Sequence, residues 1–182
     1  MRTSHFPLPS EPNPAWLTNL LHDSGVLPSG VVAAIEITPT GAFNSRTGFI
    51  RLCYSADAPL SAPTRLVFKS NTPAAWSIIA GADEVHFYRL AAELADHPRV
   101  IPPCCAAEYD RSSGESFLLL QDLSETHAPP ITRSEQISIL RGMPLAVYQQ
   151  AVIDTLAAFH GYWWDHALLS SGEFEVGYWS RD

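Results

Sequence analysis

Lysine is almost absent from this chain: of the eleven basic residues among 182, ten are arginine and one is Lys69. Set against nineteen acidic residues, these scattered cations leave a net charge of −8. That balance excludes the clustered charge with which proteins neutralise nucleic-acid phosphates, and it gives no pull toward an anionic membrane surface. No apolar run approaches the roughly eighteen residues that a membrane span requires. Cysteine is scarce as well. Cys53, Cys104 and Cys105 cannot build a disulfide framework, and an adjacent pair fits neither CxxC redox chemistry nor zinc spacing. Three reduced thiols, buried in strands of a cytoplasmic protein, are the expectation. The seven histidines are dispersed; the nearest thing to a ligand pair, His160 and His166, would lie on different faces of a helix, so no metal site is expected. The stretch from Met1 to Pro14 has prolines at 7, 9, 12 and 14 and no apolar centre, which fits neither a signal nor a transit peptide. Asparagine ends at Asn71.

What remains is ordinary for a folded chain. A hydrophobic content of 46% with 16% charged residues excludes disorder as the main state, and the length allows one domain or one and a half with a real core. Asn13 and Pro14 open a short amphipathic helix that stops at Gly25. Val31–Ile37 and Gly48–Tyr54 read as antiparallel strands around the loop Thr38–Arg46, and Arg65–Lys69 reads as a third strand. Asp83–Leu94 carries Val85, Tyr88, Leu90, Ala91 and Leu94 at helical spacing and ends before Pro98. Cys104–Tyr109 and Ser116–Leu120 form a predicted hairpin turning at residues 110–114. A further helix starts at Pro144, with Val147, Val152, Ile153, Leu156, Ala157 and Phe159 on its apolar side. Its continuation, Tyr162-Trp163-Trp164, either packs on the preceding domain or meets something else.

A chain that otherwise uses arginine places its one lysine at the end of an apolar strand. A compact ammonium reaches a phosphate as a point charge, where a guanidinium presents a planar fork. Fifteen residues on, Glu84 opens the helical pattern. A strand lysine paired with a helix glutamate is the arrangement that holds nucleotide phosphates in kinases. The alternatives are a surface lysine left over by coding bias and, for Glu84, a solvated carboxylate in a first helical turn, where the dipole favours it.

Longer words agree with this pair. Glu84-Val85-His86-Phe87-Tyr88 resembles the E-x-x-F-Y signature of the aminoglycoside phosphotransferase and ecdysteroid-kinase-like family. Leu118-Leu119-Leu120-Gln121-Asp122-Leu123 is similar to its L-L-L-E-D-L hinge, and Ala157–Trp164 to its L-A-x-x-H-A-x-x-W helix. The resemblance spans about residues 30 to 166. It implies an α+β fold: a protein-kinase-like N-lobe of five antiparallel strands with one packed helix, then a hinge and helices of an incomplete C-lobe. The corresponding divisions are a leader at 1–29, the lobe at 30–120, a hinge or linker at 121–130 and the start of a helical lobe at 131–182. It also implies roles: Lys69 toward the α and β phosphates of ATP, Glu84 holding it, and main-chain groups of Gln121 and Leu123 toward adenine. Ser45 and nearby amides would contact phosphate from the loop, which has one glycine, Gly41, where G-x-G-x-x-G has three. An ordinary hairpin loop is the other reading there, and Asp122 could instead cap the following turn.

The family also needs H-x-D-x-x-x-x-N downstream of the hinge, its aspartate taking the acceptor's proton and its asparagine holding magnesium. With no asparagine after Asn71, that loop is missing. His160-Gly161-Tyr162 lacks the aspartate, and Trp164-Asp165-His166 has the wrong order. The expectation is therefore a partial ATP-dependent phosphotransferase for a small-molecule hydroxyl, with weak or vestigial ATP affinity. Mg2+ belongs only to a complete member, and the acceptor is set by a lobe that is missing. The rival is a non-catalytic binding or oligomerisation module that self-associates through Trp163, Trp164 and Trp179; an unrelated enzyme using His160 and Asp165 is a third reading.

Overall fold

In a computed structural model the protein is described over residues 11–42, 44–127 and 146–172, and its fold is α+β. The expected starts at Met1 and Pro144, the segment 128–145, Phe43 and Trp179 lie outside the described residues. Contacts divide the chain into two compact units. One comprises residues up to 95 together with 102–122; the other comprises 96–101 and 123–175.

The first unit is a five-stranded antiparallel sheet with two helices. The strands are β1 (Val32–Pro39), β2 (Arg46–Tyr54), β3 (Arg65–Ser70), β4 (Cys104–Tyr109) and β5 (Ser116–Gln121), ordered β1-β2-β3-β5-β4. Helix α1 (Pro14–Asp23) starts as its sequence predicts: the Asn13 side chain accepts the Trp16 N–H at 3.0 Å, and Gly25 takes the left-handed conformation just beyond the end. Thr18 then fastens α1 to the sheet, donating to the Pro14 carbonyl and accepting the Val32 N–H at 2.9 Å.

Two sheet faces explain the strand patterns. Leu66, Phe117 and Leu119 join Trp16, Leu17, Leu20 and Leu21 of α1 in a buried core with Ile50 and Leu52. Each such side chain contributes about 1.5–3 kcal/mol by leaving water. Helix α2 (Ala75–Glu93) packs against β4 and β5. Strand β5 is thus buried along nearly its whole length and reads as a continuous apolar run, whereas β2 alternates, with Gly48, Ile50 and Leu52 inward and Phe49, Arg51 and Cys53 outward. Cys53 is therefore exposed rather than buried, a correction that follows from its parity on β2, and Cys104 and Cys105 on β4 are half-buried.

Helix α2 begins at Ala75, eight residues before the predicted start. Its first two turns lack an apolar stripe, with Ile79 exposed, so spacing alone does not reveal them. In consequence Glu84 stands in mid-helix, and the first-turn dipole account of it does not hold.

In the second unit, helix α3 (Ala146–Trp163) is followed by a 3-10 turn at Ala167–Ser170. His97 lies among the rings of Phe159, Tyr162 and Trp163, with centroids at 5.2–6.1 Å, and Tyr162 donates to Asp96 at 3.1 Å. The aromatic triplet divides: Trp163 is buried, while Trp164 is 83% exposed. Among the described residues no helix is long and apolar enough to cross a membrane.

Candidate functional site

The site lies on the α2 side of the sheet, where residue parity collects it. On β3 the side chains alternate, so Leu66 and Phe68 enter the α1 core and Lys69 emerges on the opposite face. There its Nζ lies 2.6 Å from both carboxylate oxygens of Glu84. The partners are about one-third exposed, at 34% and 33%, so solvent screening keeps the pair's contribution to stability small. Its value is geometric: a bidentate carboxylate fixes an ammonium on a flexible stem.

A cavity of about 240 Å³ opens beside the pair, with Asn44, Ser45, Asn71, Trp76, Ser77 and Ser116 among its lining residues. Ser45 arrives through the β1–β2 connection. Its Oγ lies 2.8 Å from Thr47 Oγ1, and Thr47 faces Lys69 across the β2–β3 ladder. Lys69, Glu84 and Ser45, expected to act together, thus line one cavity. Gln121 and Leu123 are elsewhere. Gln121 is still a strand residue, the last of β5, and its N–H donates to the Pro103 carbonyl at 2.9 Å. Leu123 begins the second unit, where its carbonyl accepts the Thr126 and His127 amides.

Sequence reasoning missed three contributors. Asn71 stitches the end of β3 to the β4–β5 hairpin, accepting the Ser116 N–H at 2.8 Å and donating to the Gly114 carbonyl at 3.0 Å. Gly81 lets α2 lie against β5, because a Cβ there would overlap Ser116 Oγ. Asp122 forms an ion pair with Arg65, at 2.9 Å to Nε and 2.8 Å to the terminal nitrogen, and its side chain is only 3% exposed. It clamps the exit of β5 to the start of β3. The signals available were a glycine inside a helical run and an aspartate after an apolar strand, neither of which names its partner.

Tyr88, Cys104 and Cys105 are held in their protonated forms. Burial, then the Glu84 carboxylate and Cys104, push the Tyr88 phenol up to about 12. Burial above all raises Cys104 to about 12 and Cys105 to about 11, so neither thiol supplies a nucleophile at neutral pH. Among the described residues no three His, Cys, Asp or Glu side chains converge on a metal position, and Glu84, on the cavity wall, is engaged by Lys69. His160 and Asp165 are both exposed.

Compared with family models, curated proteins and solved structures, the chain matches none.

Proposed function

We propose that the sheet unit is the nucleotide-holding lobe of a kinase-like phosphotransferase, of the aminoglycoside phosphotransferase and ecdysteroid-kinase-like kind, and that this chain alone binds ATP weakly without transferring phosphate. The observation that carries the reading is the bidentate Lys69–Glu84 pair on the wall of a polar cavity. Two of the three ammonium protons are spent on Glu84, and the third is left for an anion. Ser45 offers a hydroxyl on the same cavity. At about 240 Å³ the space falls below the roughly 300–1,000 Å³ of whole small-molecule pockets, so it suits a polyphosphate with the nucleoside outside it. Adenine recognition by Gln121 and Leu123 belongs to the same proposal and rests on the family resemblance alone.

Transfer requires an aspartate base and metal ligands that the 182 residues do not supply in the family's pattern, and positioning plus charge stabilisation account for nearly all catalysis of this kind. Calorimetric titration with ATP, with and without Mg2+, tests the reading. Affinity on the order of 0.1–1 mM is expected, equivalent to about 4–5.5 kcal/mol, and it disappears in Lys69→Ala. Absence of binding, or equal binding by the variant, removes the reading.

A second reading, a non-catalytic module that self-associates, is favoured by exposed Ile153, Leu156 and Trp164 in the helical unit. Light scattering separates it: a concentration-dependent dimer supports the module, and a monomer at every concentration rejects it.

A further inference from the structure

We propose that Ser77 is a positioning residue whose hydroxyl couples the β1–β2 loop to helix α2, so that the loop beside Lys69 and the helix bearing Glu84 keep one relative position when an anion enters. Ser77 is 3% exposed. Its Oγ accepts the Thr72 N–H at 2.9 Å and donates to the Asn44 carbonyl at 3.3 Å, joining segments thirty-three residues apart. No side chain caps α2 at Ala74, so its first turn is anchored laterally, through Ser77. From there one helix face runs Ser77, Gly81, Glu84 and Tyr88, at intervals of three and four, with Val85 beside Glu84. A straight helix carries the anchor to Glu84 over about 10 Å, at roughly 1.5 Å per residue.

The loop is tied on its other side too. Ser45 meets Thr47, which stands opposite Lys69. Asn44 and Ser45 therefore share one wall of the cavity with the helix, and Ser77 closes the circuit between them. Without its hydroxyl, the Asn44 carbonyl and the Thr72 amide lose their partner, while Glu84, two turns away, keeps Lys69. The circuit is a property of the unliganded fold; its effect on polyphosphate rests on the nucleotide reading, and the two parts fail separately.

The test compares the full chain with Ser77→Ala and Ser77→Thr. Amide exchange and backbone order parameters are followed without ligand, and affinity is measured with tripolyphosphate and with Mg-ATP. In Ser77→Ala, exchange at Thr72, whose N–H Ser77 accepts, should rise about tenfold and the backbone order parameters of Asn44 and Ser45 should fall, with Leu66–Phe68 unchanged, and polyphosphate affinity should fall about fivefold, an opening confined to one local unit. Ser77→Thr, which keeps the hydroxyl, should restore both. Unchanged exchange at Thr72, or unchanged order parameters at Asn44 and Ser45, overturns the coupling, as does loosening that extends equally into β3. If the parent chain binds neither polyphosphate, the nucleotide reading falls and the exchange pattern alone decides the coupling; if exchange rises while affinity holds, Ser77 is structural only and the positioning role is wrong.

Discussion

The two units bury their apolar side chains differently. In the sheet unit Leu17, Leu21, Leu66, Leu119 and Ile50 are fully buried in one cluster, and polar ties such as Thr18–Val32 and Asn71–Ser116 close the edges between elements. In the helical unit an aromatic group around His97 and Trp163 is packed, whereas Ile153 remains 58% exposed on α3. A helix with apolar residues left in water gains little from its own surroundings, since helical stability in proteins comes mostly from burying such a face. The candidate site belongs wholly to the better-packed unit. Its geometry is held by the core beneath it, so substitutions in the two units should be felt very differently.

The sharpest contrast is predicted for large-to-small changes. Leu66→Ala, at a site with no exposed surface, should cost about 3–5 kcal/mol in denaturant unfolding, and Ile153→Ala less than about 0.5 kcal/mol. Equal costs would mean that α3 is covered in solution, which favours self-association. Next comes Asp122→Ala. It removes the buried carboxylate that Arg65 pairs with, and the partial exposure of Arg65 limits the loss to about 2 kcal/mol, read from the same unfolding curves. Gly81→Ala gains helix propensity of about 1 kcal/mol but drives a methyl group into Ser116. The expected net loss is about 1 kcal/mol, together with weaker ATP binding as α2 lifts from β5.

The smallest effect concerns the thiols. In the folded chain Cys104 and Cys105 titrate near 12 and 11 against 9.0 when unperturbed, so the native state holds protons that the unfolded state releases. Their contribution is complete below pH 9 and is lost as pH rises toward 11 and 12. Stability should therefore decline above pH 9, and a thiol reagent at pH 8 should label Cys53 well before the other two. Uniform labelling of the native chain would contradict the partial burial of Cys104 and Cys105.

Most strand positions were legible because alternation and turn residues are local. The hairpin turning at Asp110–Gly114 is one case: Asp110 accepts from Ser112, and Gly114 supplies the left-handed residue. The start of α2 was not legible, since the contacts that hold Ser77 and Gly81 come from residues 44, 72 and 116, far away in sequence. Within the site, Lys69 and Glu84 were found through residue type and spacing, and the structure brings them together. Asn71 stood out only as the last asparagine; its role depends on which backbone groups the hairpin leaves to be satisfied. Cys53 was misplaced because composition gives no parity.

One lysine in the chain permits an unusually direct measurement. With lysine labelled at Nζ, the side-chain spectrum holds a single ammonium signal, that of Lys69. Titration with ATP should shift that signal saturably and with the calorimetric affinity, and Glu84→Gln should displace its starting position and weaken the response. A signal that stays in place at millimolar ATP would contradict the assignment of this cavity to nucleotide phosphates.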